Sequence, residues 1–155
     1  MAHLLVPAET LKEAGTSQFR LNKWIETAPF EDLLDFKIEH AAAGEAILST
    51  PFQVKHANGG GMMHGGVLVS LADTAVAMAI KSLLPEGTRF ATTQLQMNFL
   101  APAHKGRVHA HARVSGPAGL SFTGEADLFD ESDVLLAQFQ CVFRVARGQT
   151  LGNEE

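Results

Sequence analysis

Residues 65–84 read GGVLVSLADTAVAMAIKSLL, and this stretch decides the fold. Apolar residues lie on nearly every side of the helix that it predicts, so we expect the helix to be enclosed by protein. Asp73 and Lys81 interrupt the apolar run, which argues against a membrane span. Pro85 ends the helix. Small side chains keep it slim enough for strands to pack closely: Ala72, Ala75, Ala77 and Ala79.

Alternation of apolar and polar residues predicts strands on both sides of this helix. Two short runs precede it, around a turn at Gly44. Such clean alternation is typical of an antiparallel sheet with one face on the core. One long helix against an antiparallel sheet is an α+β domain. The predicted strands are residues 36–39, 46–48, 94–99, 108–114, 122–128 and 135–145.

The two ends of the chain give weaker patterns. Phe19, Trp24 and Ile25 are spaced to share part of one helical face, which predicts a weak helix over residues 9–28 within an N-terminal helical segment, 1–30. Residues 148–155 are expected to fray. The whole chain, 1–155, fits one domain.

Composition narrows the class of protein. The chain is 46% hydrophobic and 19% charged, which is ordinary for a globular protein. A net charge of −5 argues against nucleic-acid and anionic-membrane partners. The lone cysteine, Cys141, excludes an internal disulfide and favours a reducing compartment, so we expect a cytoplasmic protein. Residues 1–6 lack the basic region and apolar run of a secretion signal.

Asp73 is the most informative residue of the predicted helix. Its neighbours are apolar, and no Lys or Arg lies three or four residues away to pair with it. An ionised carboxylate in such a place is costly unless it is paired or faces a cavity. Two interpretations follow: a carboxylate bonded to backbone groups at an interface, or a catalytic base or nucleophile in an apolar cleft.

The start of the helix is the second informative feature. Met63 and His64 precede Gly65, and neither is a favoured N-cap, so we expect the first backbone N–H groups to be free. Free N–H groups at a helix start can hold an anion or a polarised carbonyl oxygen. Gly65 and Gly66 would let a ligand approach the backbone. The alternative is that the glycine pair serves tight turning only.

The spacing of the two features predicts a homodimer. Gly65 and Asp73 are eight residues apart, or about 12 Å along the helix axis. A reacting carbonyl must touch both an N–H donor and a base within about 3 Å, which one chain cannot easily provide. Two antiparallel copies of the helix across a two-fold axis would bring Gly65 of one copy to Asp73 of the other.

The run from Asn58 to Ala75, NGGGMMHGGVLVSLADTA, is similar to the signature of hotdog-fold thioesterases. The branch it resembles most is the PaaI-like acyl-CoA thioesterases of phenylacetate degradation. QMNFLAPA at residues 96–103, followed by Gly106, resembles the third-strand pattern of that family, and the likeness covers residues 50–145. It implies the hotdog fold, an antiparallel β-sheet wrapped around one long central helix, and hydrolysis of acyl-CoA thioesters.

The resemblance also implies roles at the N-terminal end of the helix, around His64 and Gly65, which we call its mouth. Gly65 would give its backbone N–H to the thioester oxygen. His64 would lie against that oxygen or help to fix the loop. Asn58 would position the attacking water or the thioester.

The remaining implied roles concern the acid. Asp73, from the other subunit, would be the general base or the nucleophile, and the sequence does not separate these routes. Thr92 would supply a hydroxyl that helps to hold the water, with Thr93 as its competitor. The implied assembly is a homodimer with shared active sites, in which dimers often pair again. No metal or redox cofactor is implied, because CoA is part of the substrate.

Two positions depart from the family pattern. Many relatives carry Asp where Gln94 stands and a basic residue where Ala101 stands. The second change removes a possible contact to the CoA phosphates. Other basic residues could supply that charge, although each is more often a solvated surface residue: His104, Lys105, Arg107, Arg113 and Arg144.

Other functions remain as alternatives. A hydratase or dehydratase of enoyl-CoA shares the hotdog fold, and a non-catalytic acyl-CoA binding protein is a third class. His109 and His111 share a strand face but lack further ligands at metal-binding spacing. His56 is interpreted as a loop residue with no task, and Cys141 as a small core residue.

Overall fold

A six-stranded antiparallel sheet and one long helix make up most of the structure. The computed structural model describes residues 1–149 and residue 151. In chain order its elements are β1 (His3–Leu4), β2 (Phe19–Arg20), α1 (Pro29–Leu33), β3 (Lys37–Ala42), β4 (Glu45–Pro51), α2 (Gly65–Lys81), β5 (Phe90–Phe99), β6 (Arg107–Ala118), β7 (Ser121–Phe129) and β8 (Leu135–Val145).

The strands of the large sheet follow the order β3-β4-β6-β7-β8-β5, and every pair is antiparallel. The α+β prediction is therefore confirmed. The strand that follows the helix, β5, lies at one edge of the sheet and pairs there with β8. A bulge between Thr92 and Gln94 shifts its register by one residue. This bulge decides which of the two threonines turns towards the helix.

The packing of α2 explains its small side chains. The helix lies chiefly on β4, β6 and β7 and hardly on β5. A Cβ atom placed on Gly124 of β7 would lie 2.3 Å from Cγ1 of Val76 on the helix. Glycine is needed there because the helix comes too close to the strand for any side chain. Such contact buries Leu71, Ala75 and Ile80 completely.

One face of α2 is not covered by the sheet, so within a single chain the helix is not enclosed by protein on every side. Residues on this open face recur every three or four positions and are half-buried or exposed, whereas their neighbours are buried. We call this surface the open face of α2. Its members are Gly66, Val69, Ser70, Asp73 and Ala77.

The predicted helix over residues 9–28 is wrong. This segment contains a 3-10 turn at Thr16–Gln18, and β2, which pairs with β1. Gly15 has a φ of 151°, which is incompatible with a continuing helix. The apolar side chains that suggested a helix dock on other elements instead: the indole Nε1 of Trp24 donates to the carbonyl of Lys81 at 3.0 Å.

The first helix of the chain is the five-residue α1, with Pro29 as its first residue, a favoured position for proline. The predicted frayed tail falls mostly outside the described residues. None of the helices in the described part of the chain is long and apolar enough to cross a membrane.

Candidate active site

Asp73 lies on the open face of α2 with one neutral partner. Its Oδ1 accepts a hydrogen bond from the Thr92 hydroxyl at 2.8 Å. None of the ion pairs found among residues 1–149 includes Asp73. Burial raises the pKa of the Asp73 carboxyl; the Thr92 hydrogen bond opposes this, and the negative charge of Glu31 adds to it. The carboxylate is therefore uncompensated, as expected for a reactive group.

The bulge in β5 separates the two threonines that were predicted as alternatives. Thr92 turns towards the helix and bonds Asp73, whereas the Thr93 hydroxyl donates to the carbonyl of Val142 at 3.2 Å on the adjacent strand. The structure thus places Thr92 with the acid and Thr93 away from it. Sequence could not decide between them, because a bulge shifts the alternation by one residue.

The mouth of α2 is capped by a histidine. Nδ1 of His64 accepts the N–H of Gly66 at 2.8 Å, and the His64 carbonyl accepts that of Val67. The expectation that the first N–H groups are free is therefore wrong for Gly66. For the N–H of Gly65 we find no hydrogen-bond acceptor in the described residues. Because Nδ1 accepts this hydrogen bond, Nε2 is the ring nitrogen of His64 that is left to donate.

Asn58 fixes the loop in front of this mouth. Its side-chain oxygen accepts the backbone N–H groups of Gly60 at 2.9 Å and Met62 at 3.2 Å. Two donors on one side identify that atom as the oxygen, so the amide nitrogen is the atom left to donate elsewhere. The residue is half-buried and lines the same cleft as Gly65. Its place in the lining of this cleft is compatible with the role predicted for it.

The cleft at the mouth of α2 has a volume of about 390 Å³ and no charged side chain in its lining. Asn58 and Gly65 provide its polar groups, and Leu68 and Leu100 belong to its apolar wall. The ring of Phe99 covers Gly65: a Cβ atom at Gly65 would lie 3.2 Å from Cζ of that ring. The apolar ring of Phe99 therefore lies against the backbone at the start of α2.

Sequence reasoning missed the position of Phe99. In the predicted strand 94–99, alternation places Phe99 on the same apolar face as Leu95 and Met97, the face expected on the core, but its side chain is 55% exposed and Leu95 is 44% exposed. The reason is that α2 leaves the inner face of this edge strand almost uncovered. Two large apolar side chains are thus exposed on an edge strand, where proteins usually avoid apolar surface.

Cys141 and Arg113 do not line this cleft. Cys141 is buried, and burial together with the charge of Asp73 raises its pKa to about 12, so its thiol is not a nucleophile. Arg113 pairs with Glu125 at 2.7 Å on the outer face of the sheet. Within the described residues, no three His, Cys, Asp or Glu side chains are arranged to hold a metal ion, and His109 is part of no such group.

The strand order, the single long helix and the acid on its open face define a hotdog-fold protein. The chain belongs to the thioesterase superfamily, whose family model matches residues 60–137. It is also 31% identical, over 146 residues, to a protein of Halobacterium salinarum that is named as a candidate esterase. That alignment covers 87% of this chain and 96% of the relative.

Solved structures agree with this assignment. A mutant of the phenylacetic acid degradation protein PaaI from Thermus thermophilus is 29% identical, with a TM-score of 0.69. The match covers 76% of this chain and 98% of that one. A conserved protein from Pseudomonas aeruginosa is 25% identical, with a TM-score of 0.76, over 82% of this chain and 100% of that one. The resemblance to PaaI-like hotdog thioesterases is therefore confirmed.

Proposed function

We propose that the protein hydrolyses acyl-CoA thioesters to a free acid and CoA, in a homodimer whose active sites are each built from both copies. The observation that carries this proposal concerns two groups on one helix, the Asp73 carboxyl and the backbone N–H of Gly65. Asp73 lacks a cationic partner on the open face of α2, and the N–H of Gly65 lacks an acceptor at its mouth, among the residues that the structure describes. Membership of the thioesterase superfamily supplies the reaction class.

The dimer is supported by the surfaces that one chain leaves uncovered. The open face of α2 and the free edge of β5 adjoin, and exposed apolar residues, Leu95, Phe99 and Leu100, lie along that edge. A second antiparallel copy would cover both surfaces at once. It would also bring Gly65 of one chain towards Asp73 of the other. Within one helix the same two residues are about 12 Å apart.

At the mouth of α2, the N–H of Gly65 would polarise the thioester carbonyl and stabilise the oxyanion that develops on it. The positive end of the helix dipole adds to this effect. Phe99 and the apolar lining of the cleft would exclude water from the donor. The free amide nitrogen of Asn58 would hold either the substrate oxygen or the attacking water.

Asp73 of the partner copy would act by one of two routes. As a base, it takes a proton from water while the water oxygen attacks the carbonyl carbon and CoA leaves as the thiolate. As a nucleophile, its oxygen attacks the carbonyl, CoA leaves, and water then hydrolyses the mixed anhydride. Thr92 holds Oδ1 in either route, which leaves Oδ2 to react. Both routes use only water as co-reactant, and a raised pKa makes Asp73 a stronger base.

The test is release of CoA from a panel of acyl-CoA thioesters, followed with a thiol-reactive dye. The Asp73→Asn variant is expected to keep its fold and its assembly but to lose turnover by on the order of 10²–10⁴-fold. Asp133→Asn is the matched control, because Asp133 is exposed and its φ of 59° also suits asparagine. Wild-type turnover in Asp73→Asn would remove this residue from the mechanism.

The same panel separates the alternative functions. Binding of acyl-CoA without any CoA release would indicate a non-catalytic binding protein. Hydration of enoyl-CoA, measured in parallel, would indicate a hydratase. Sedimentation of the wild-type protein distinguishes the proposed dimer from a dimer of dimers.

A further inference from the structure

His56 is a buried histidine that the proposed mechanism does not use. It closes the 3-10 turn Val54–His56 between β4 and the mouth of α2, and its side chain is 1% exposed. Its Nδ1 lies 2.9 Å from the carbonyl oxygen of Pro51 at the end of β4. A carbonyl only accepts, so Nδ1 carries the proton. Nε2 makes no hydrogen bond with the described residues.

The backbone of His56 holds the residue that caps α2. Its carbonyl accepts the N–H of His64 at 2.7 Å. His64 in turn caps Gly66 and directly precedes Gly65. His56 therefore links the end of β4, through one side-chain and one backbone hydrogen bond, to the residue next to the proposed oxyanion donor.

The loop that leads into α2 is also held by the segment that follows β5. The N–H of Met63 donates to the carbonyl of Ala103 at 2.7 Å, on the segment that follows β5. Ala57 and Met63 are also joined by an isolated β-bridge. With Met63 fixed by one segment and His64 by His56, the peptide plane that carries the Gly65 N–H has little freedom to turn.

We propose that His56 is a positioning residue for thioester hydrolysis. Its Nδ1–H anchor on Pro51 and its carbonyl anchor on His64 set the direction of the Gly65 N–H into the cleft. The inference rests on the proposed function. His56 is buried and touches no reacting atom, so it acts through the geometry of His64 and Gly65. A donor displaced by about 1 Å can cost on the order of 10²-fold in rate.

Two amide variants distinguish the contribution of Nδ1 of His56 from that of Nε2. In His56→Asn the amide nitrogen can occupy the place of Nδ1 and still donate to Pro51. In His56→Gln the amide reaches the place of Nε2, which has no partner to lose among the described residues. We expect His56→Asn to keep most of the wild-type kcat. His56→Gln and His56→Leu should lose on the order of 10–100-fold in kcat with little change in KM.

The kinetic test needs a control that reports on structure alone. Turnover is measured per folded protein, well below the melting temperature of the least stable variant, so that a merely structural role lowers stability but not kcat. His40→Gln, at an exposed position of β3, is the matched control and should behave as wild type. If His56→Leu does not fold, the comparison of Asn with Gln decides alone. Equal kcat in those two variants overturns the proposal.

Amide hydrogen exchange gives a measurement that does not depend on activity. In His56→Gln we expect faster exchange at the amides of His64 and Gly66, with no change inside α2 at Ala75. Unchanged exchange at His64 and Gly66 would overturn the positioning role even if activity fell. If the wild-type protein releases no CoA from any thioester, the proposed function fails, while the exchange experiment still decides whether His56 sets this geometry.

Discussion

Asp73 stands where the fold disfavours a negative charge. Burial raises its pKa above the ordinary value of an aspartate, and the negative charge of Glu31 adds to the shift. The folded-state pKa therefore exceeds that of the unfolded chain, so the fold loses stability as pH rises through the window between the two values. A group that costs stability when ionised, yet pairs with no cation in the described part of the chain, is better explained by reactivity than by structure.

The hydrogen bond from Thr92 should tune the acidic limb of the pH–rate profile. Activity requires ionised Asp73, so kcat/KM falls as pH drops through its pKa. The Thr92 hydroxyl stabilises the charged form and so lowers that pKa. In Thr92→Val the acidic limb is therefore expected to move to higher pH.

Measured pH profiles of kcat/KM check this expectation, with Thr93→Val as the matched control. Thr93 has the same side chain one position away but bonds Val142 instead of Asp73. An acidic limb that stays in place in Thr92→Val, or moves equally in both variants, would contradict the role given to Thr92.

At the scale of elements, the close approach of α2 to β7 depends on Gly124. In Gly124→Ala the new Cβ would lie 2.3 Å from Cγ1 of Val76 and 3.0 Å from Sγ of Cys141. Val76 is β-branched and fully buried, so it has few other rotamers, and the helix must shift away from the sheet. Overpacking of this kind is expected to lower the free energy of unfolding by about 1–3 kcal/mol.

Denaturant unfolding measures this loss. The double variant Gly124→Ala with Val76→Ala should lose less than the sum of the two single variants, because each change makes room for the other. Gly59→Ala is the control, since nothing lies within 4 Å of a Cβ there. If the losses in the free energy of unfolding are additive in the double variant, the side chains at positions 124 and 76 do not clash.

The elements differ in how far sequence could predict them. Alternation predicted the six strands of the large sheet, and the long apolar run predicted the helix between them, because burial against neighbouring elements selects these patterns. The segment 9–28 was misread because Trp24 meets its partner, Lys81, 57 residues away. The Lys81 ammonium lies 4.6 Å from the centre of the Trp24 ring, and no local pattern records such a contact.

The candidate site was predictable only in part for a similar reason. Asp73 and Gly65 stand out because each conflicts with its local surroundings. His56 and the cap at His64 do not, because the role of a histidine depends on which partners its two ring nitrogens meet in three dimensions. Phe99 was assigned to the core because alternation reports a face of a strand and not whether anything covers that face.

At the scale of the whole molecule, the shared active site makes a prediction that a single-chain site does not. Gly65→Pro removes the N–H donor at the mouth of α2. Proline suits the first position of a helix, and the backbone of His64, at φ −60° and ψ 134°, is compatible with a following proline. The exposed ring of Phe99, 3.2 Å from a Cβ atom at this position, has to shift by a few tenths of an ångström. Gly65→Pro and Asp73→Asn are each expected to be nearly inactive alone.

Mixed dimers of the two variants should recover activity. A dimer with one chain of each kind contains one site with both native groups and one site with neither. About half of the dimers formed by refolding an equal mixture are mixed, and each has one intact site of two, so about a quarter of the wild-type rate should return. If Gly65 and Asp73 of the same chain formed each site, every site in the mixture would lack one group. The mixture would then stay as inactive as its two components.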